Sequence, residues 1–141
     1  MELHLNLAAA FLLFALMVKH VIAEGPLQEN WIFAQKGKFL APGGLVHVIE
    51  HGALSLIVLV VANIWFSFPL LLILGVVIAE VILHYVIDYI KANITKGMSE
   101  FTPEINQLTV NNRWFWSAFI VDQAAHHLTY VGMVYALTVL A

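Results

Sequence analysis

Four pairs of metal-ligand side chains recur along this chain at a spacing of i, i+4. They are His20 with Glu24, His47 with His51, His84 with Asp88, and Asp122 with His126. On an α-helix, residues four apart lie on one face, one above the other. Each pair can therefore grip one ion or face two neighbouring ones. Imidazole nitrogen and carboxylate oxygen together suit zinc first, with iron, manganese or nickel as alternatives. The set is larger than the four donors of a tetrahedral ion. The surplus either orients ligands through hydrogen bonds or builds a dinuclear site with ions about 3.5–4 Å apart. The expected cofactor is one or two divalent transition-metal ions.

His47-x-x-Glu50-His51 also has the inverted-zincin spacing, in which two His bind zinc and the Glu is general base. Glu50 is the catalytic candidate on that ground. A five-residue pattern is common by chance, and its weight here comes from the other three pairs. A single His on an apolar helix is more often a hydrogen-bonded packing residue, and His4 and His127 are read that way. His127 is turned about 100° from His126 and faces another neighbour. Glu80, one turn before His84, is read as an orienting group. The competing explanation of the whole set is polar glue between helices.

The elements that must position these pairs are apolar. The 141 residues are 62% hydrophobic and only 11% charged, which a soluble domain of this size does not need. The expected fold is all-α: one domain, an integral membrane bundle of four antiparallel transmembrane helices over 3–23, 45–66, 70–90 and 114–140. Each is long enough to span at about 20 residues. The start lacks a basic region and a small-residue cleavage site, so the first run reads as a retained helix. Segment 24–44 is a polar connection in which Leu27, Trp31, Ala34 and Phe39 could line an interfacial helix ended by Gly43 and Gly44. Segment 91–113 reads as a mobile loop. Trp31, Trp65, Trp114 and Trp116 fall near span ends, as an aromatic belt does. Ionisable groups at membrane depth are costly and mark function. With no cysteine, thiolate and iron–sulfur sites are excluded.

The six basic residues, Lys19, Lys36, Lys38, Lys91, Lys96 and Arg113, all fall at one end of such a bundle. The positive-inside tendency makes that end cytoplasmic and puts both termini outside. All four ligand pairs lie toward the same face. No Gly-rich phosphate loop, Ser-His-Asp order or nucleic-acid patch is present.

The residues also carry a resemblance. His20-x-x-x-Glu24-x-x-Leu27-Gln28, followed by Trp31 and Lys36-Gly37, then His47 and His51, then LHYVIDYIK with His84 and Asp88, then DQAAHH with Asp122, Gln123 and His126, resembles the bacterial and phage membrane-protein family catalogued as domain of unknown function 3307. Glu24 stands where that pattern has Asp, keeping the carboxylate and lengthening its reach. The resemblance implies the same bundle in a bacterial inner (plasma) membrane and supplies no activity. A looser likeness to small membrane-bound metal-dependent hydrolases is analogy only.

The functional expectation is a metal-dependent hydrolase acting near the cytoplasmic leaflet on an ester or phosphoester. The metal lowers the pKa of bound water, and Glu50 or a spare carboxylate is the base. Expected partners are membrane lipid and a lipid-like substrate entering from it, with no nucleic acid; a homo-oligomer is left open. The rivals are a non-enzymatic metal-binding or accessory protein, then a metal or proton transporter, then a bis-His haem protein. The apolar outer halves of the second and third helices argue against a permeation path. Haem gives no role to three carboxylates.

Overall fold

A computed structural model describes residues 2–96, 100–102, 107–109 and 113–140. The chain is largely helical: α1 Glu2–Glu24, α2 Asn30–Phe33, α3 Pro42–Phe66, α4 Leu70–Ile94 and α5 Arg113–Val139. An apolar chain in an apolar solvent must satisfy its backbone internally, and a helix does so within one segment. Three helices are long and apolar enough to cross a membrane: Leu7–Glu24, Pro42–Phe66 and Leu70–Ile94. Helix α5 is longer, but hydropathy does not single it out, because Asp122, Gln123, His126 and His127 interrupt it.

The four long helices close a ring, with α1 against α3 and α5, and α4 against α3 and α5. Side-chain contacts fix their directions. Lys19 and Glu24 of α1 meet Glu80 and His84 of α4 in the same order, so these two run parallel. His47, at the start of α3, meets Glu24 at the end of α1, so α1 and α3 are antiparallel. His126 of α5 meets Asp88 of α4, and Tyr130 meets His20, which sets α5 against both.

Along the axis the ring divides into two halves. One is an apolar core of Leu12, Leu16, Leu59, Ala62, Ile73, Val77, Met133 and Leu137. The other buries His20, His47, His51, His84, Asp88, Asp122 and His126. The outward faces carry large apolar side chains, among them Phe14, Ile49, Ile57, Ile64, Leu71, Ile78, Ile82 and Ile120. Polar groups inside and apolar ones outside is the arrangement lipid favours.

The connections differ from the sequence expectation in two places. The interfacial helix is a single turn, α2, and Gly43 and Gly44 do not end it. They lie in the first turn of α3, behind Pro42 at its start, where a missing N–H is harmless. Glycine is needed there for close approach: a Cβ on Gly43 would lie 3.0 Å from Gln35 Cβ and 3.1 Å from Ile32 Cα. The Gly43 N–H instead donates to Gln35 Oε1 at 2.9 Å. The segment expected as a mobile loop is in part ordered. Helix α4 runs on to Ile94, and β1 Glu100–Thr102 pairs antiparallel with β2 Gln107–Thr109, Phe101 opposite Leu108.

Helices α3 and α4 are joined by residues 67–69. Ser67 adopts a left-handed conformation with φ of 40°, and Asn63 Oδ1 accepts the Phe68 N–H. The two helices come close at Gly52, where an added Cβ would stand 2.5 Å from Val81 Cγ2. Small residues let membrane helices meet this closely. Gly52→Ala is expected to destabilise by about 1–3 kcal/mol, the usual cost of overpacking, since the β-branched Val81 has little freedom to turn away. Gly75→Ala, which meets nothing within 4 Å, is expected to be neutral or slightly stabilising. Denaturant titration in micelles measures both, and equal stabilities would refute the close-contact account.

Candidate metal centre

Each helix of the ring delivers its i, i+4 pair to the polar half, as the spacing requires. His47 and His51 point inward from α3 with ring centroids 4.6 Å apart. His84 of α4 lies 3.8 Å from His51 and 4.1 Å from His126 of α5, centroid to centroid. No ring among His20, His47, His51, His84 and His126 is more than 2% exposed.

Two carboxylates sit where the ring nitrogens converge. Glu24 Oε1 lies 2.9 Å from His47 Nε2, 3.5 Å from His84 Nε2 and 3.6 Å from His51 Nε2. Asp88 Oδ2 lies 3.2 Å from His47 Nε2 and 3.5 Å from His84 Nε2, and Asp88 Oδ1 lies 3.9 Å from His126 Nε2. His47 Nε2 and His84 Nε2 are 3.2 Å apart. Donors held about 2.0–2.2 Å from one tetrahedral ion stand roughly 3.3–3.6 Å from each other; the 3.5 and 3.6 Å separations fall in that range, and those of 2.9, 3.2 and 3.9 Å lie on either side of it. Glu24, His47, His51 and His84 form one group with all ligand atoms within 4.8 Å, and His84, Asp88 and His126 form a second that shares His84.

The polar atoms left over fit a cation. His51 Nε2, His126 Nε2 and Asp122 Oδ1 are buried without a hydrogen-bond partner, which is costly in an apolar surround. The charge count points the same way. Glu24, Glu80, Asp88 and Asp122 face two ammonium groups, Lys19 and Lys36. With neutral imidazoles, and with Lys91 on the cavity wall beside Asp122, the carboxylates still outnumber the ammonium groups.

Around the two groups, hydrogen bonds fix orientation. His126 Nδ1 donates to the Asp122 main-chain carbonyl at 2.9 Å, leaving Nε2 as the nitrogen with a free lone pair in the neutral ring; such a bond sets the tautomer. A directional chain runs beside it. The Tyr130 hydroxyl donates to His20 Nδ1 at 2.9 Å, His20 Nε2 donates to Gln123 Oε1 at 3.1 Å, and Gln123 Nε2 donates to Asp122 Oδ2 at 3.1 Å. Gln28 Nε2 donates to Glu24 Oε2 at 2.7 Å.

Six of the eight ligand candidates, Glu24, His47, His51, His84, Asp88 and His126, thus belong to the two groups. His20 and Asp122 stand beside them within the hydrogen-bond chain. Glu50 shares α3 with His47 and His51 but is half-exposed and has no bond to either among the described contacts; its Oε2 is buried without a partner. His127 turns toward His20, ring centroids 5.7 Å apart. The side chain of His4 lies outside the described residues.

Lys19 and Lys36, which the sequence marks as basic residues near span ends, are both buried. Lys36 places Nζ 3.0 Å from Asp88 Oδ2 and 3.3 Å from both Glu24 oxygens. It is carried there by the loop after α2, whose Gly37 packs on Ala92 and accepts from Asn93. Lys19 pairs with Glu80 and donates to the His51 carbonyl at 3.3 Å, with His51 Nδ1 at 3.4 Å. Glu80 thus lies beside the site with Lys19 as its partner, and among the described contacts it bonds none of the ligand candidates. A cavity of 720 Å³ opens onto the site, its wall including Glu24, Lys36, Asp88, Lys91, Asp122 and Gln123.

Fold and site together define a largely helical protein with three membrane-length helices around a buried histidine and carboxylate cluster. Residues 12–141 match the family described as a protein of unknown function (DUF3307), and the chain belongs to that family. No curated protein and no solved structure matches it.

Breaking a buried ion pair from one side leaves an uncompensated charge, at a cost of about 3–5 kcal/mol. Lys19→Met and Glu80→Gln are each expected to lose that much, and the double variant to lose less than either. A double-mutant cycle by denaturant titration in micelles checks this; additive losses would show that the two groups do not depend on each other.

Proposed function

We propose that this protein is a membrane-embedded, metal-dependent hydrolase, holding one or two divalent ions, zinc first, at the cytoplasmic end of a four-span bundle. The observation that carries the reading is the convergence of ring nitrogens and carboxylate oxygens at ligand spacing. Glu24, His47, His51 and His84 would hold one ion, with His84, Asp88 and His126 available to a second. Bound there, such an ion lowers the pKa of a water and polarises an ester or phosphoester.

The chain's own residues supply the rest. Lys36 neutralises Glu24 and Asp88 at the mouth of the 720 Å³ cavity. Of Glu50, Glu80 and Asp122, the carboxylates near the site but outside both ligand groups, Asp122 lines that cavity and the other two do not. Asp122 is therefore the best placed general base, since a base must reach the proton that it takes. Its Oδ1 has no hydrogen bond, while Oδ2 is held by Gln123. The apolar half of the bundle supports hydrolysis over transport, because α3 and α4 carry no ionisable residue over 56–62 and 70–79. A porphyrin needs a slot between two facing rings, and the 3.8 Å between His51 and His84 centroids favours direct ligation instead.

Purified protein is expected to carry one or two transition-metal ions per chain by elemental analysis, and background levels in chelator-free buffer would refute the reading. His51→Ala and Asp88→Ala should each lower metal affinity by more than the roughly 10–100-fold typical of orienting partners. Asp122→Asn should keep the metal while hydrolysis of short-chain phosphatidic acid or of a p-nitrophenyl ester falls about 10²–10⁴-fold. Glu50→Gln should keep both; if Glu50→Gln alone abolishes turnover, the base is Glu50.

The membrane topology follows the same reading. Three helices of spanning length and hydropathy close a ring with α5, so α5 is the fourth span. The exposed basic side chains Lys38, Lys96 and Arg113 lie at the cytoplasmic end of a bacterial inner membrane, and both termini lie outside. A reporter fused after Ala141 is expected to be active only outside; activity in the cytoplasm would invert the topology and move the site to the outer leaflet.

A further inference from the structure

Beside the metal centre lies a second cavity whose charge is opposite. It measures 310 Å³ and is lined by Lys36, Lys38, Lys91 and Lys96, with Phe33 and Phe115 as apolar walls; among the described residues no carboxylate contributes to it. Four of the chain's six basic residues therefore surround one concave space. Lys36 is paired with Glu24 and Asp88, while Lys38, Lys91 and Lys96 can each donate a charge-assisted hydrogen bond to an anion with several acceptor oxygens. Lys38, Lys91 and Lys96 have no ion pair among the described residues.

The cavity is continuous with the metal centre. It shares Phe33, Lys36 and Lys91 with the 720 Å³ cavity that Glu24 and Asp88 line. Lys36 is buried between the two, its Nζ on Asp88 Oδ2. Lys91 is held at the junction over the rings of Phe33, Phe115 and Phe119, at 5.6, 5.7 and 5.6 Å from their centroids. Cation–π contacts of this kind favour an ammonium that stays near apolar surface.

We propose that this basic cavity binds a phosphate group, and that the centre beside it acts on a phosphoester carried by an amphiphile rather than on a carboxylic ester. What happens to the bound phosphate rests on the hydrolase reading; the binding does not. In the reaction, water oxygen bonds to phosphorus, the phosphorus–oxygen bond to the alcohol breaks, and the alcohol leaves with a proton. The lysines take the charge of the phosphate oxygens, and the phenyl rings accept the start of the apolar chain. Free phosphate offers the same oxygens without the chain, so the two sources are separable. Lysines scattered along a membrane interface attract anionic lipid without saturation; a cavity holds one ligand per chain.

The test uses full-length protein in phosphatidylcholine nanodiscs, with dihexanoyl phosphatidic acid and inorganic phosphate as probes and metal content measured on the same samples. One saturable site per chain is expected, with affinity at least about tenfold weaker in the Lys38→Gln/Lys96→Gln variant and retained in Lys38→Arg/Lys96→Arg. Both side chains are exposed, so these changes leave the fold in place. Tighter binding of phosphatidic acid than of phosphate supports the amphiphile, and equal affinities overturn it in favour of free phosphate. Non-saturable uptake, or unchanged affinity in the Gln variant, overturns the site itself. In His51→Ala, lysine-dependent binding should persist after metal is lost, so failure of the metal reading and failure of the phosphate site give different results.

Discussion

The constraint on which the rest of the structure depends is the neutralisation of ionisable groups inside an apolar sheath. Four carboxylates and five imidazoles lie within a ring whose outer surface is made of isoleucine, leucine, valine and phenylalanine. Unpaired charge in such a place costs several kcal/mol per group. Lys19 answers Glu80, and Lys36 answers Glu24 and Asp88. Four of the imidazoles, those of His47, His51, His84 and His126, turn their Nε2 atoms toward Glu24 and Asp88, while His20 Nε2 bonds Gln123. What these pairings leave over is a surplus of negative charge and a set of unpartnered nitrogens at one point.

That balance explains why the bundle is divided along its axis. The apolar half, built on Leu12, Leu16, Leu59, Ile73 and Leu137, has no polar duty and can pack closely. The polar half is held by hydrogen bonds and ion pairs, which need defined distances. The Lys19–Glu80 pair and Tyr130 stand at the border, touching the apolar core on one side and His51 and His20 on the other. Gly52 brings α3 and α4 close enough, one residue beyond His51, for the rings of His51 and His84 to meet.

The loop after α2 has more than a connecting role. Single-turn α2, the docking of Gly37 on α4 and the glycines opening α3 bring Lys36 back into the mouth of the bundle. There it separates an acidic cavity from a basic one, so two opposite electrostatic environments lie side by side at one end of the molecule. An ion and an anionic group could be bound next to each other without either displacing the protein's own pairing as a whole.

Much of this was legible in the residues. Apolar runs of spanning length marked the long helices, because lipid allows a single strand of backbone few other forms. The i, i+4 spacing determined that each helix would present two ligand side chains on one face, and the turn connections determined that all four faces would lie at one end. Register along the helix axis is local, so sequence decides it. Which side chains actually touch is not local. Lys19 and Lys36 looked like interfacial charges, since a lysine near a span end is usually solvated; only the ring of helices shows that both point inward to carboxylates on other segments. His20 and Asp122 carried the same ligand spacing as the rest, yet the rotation of α1 and α5 about their own axes sets them in a hydrogen-bond chain with Tyr130 and Gln123. Glu50 matched a motif by spacing, but at three residues from His47 it sits to one side of the face that His47 and His51 share, and the 720 Å³ cavity is walled by residues of α1, the loop around α2, α4 and α5 instead. Sequence determined which residues could bind a metal and at what depth; tertiary structure decided which of them meet, because rotation and approach of helices depend on contacts such as Gly52 with Val81 that no single segment encodes.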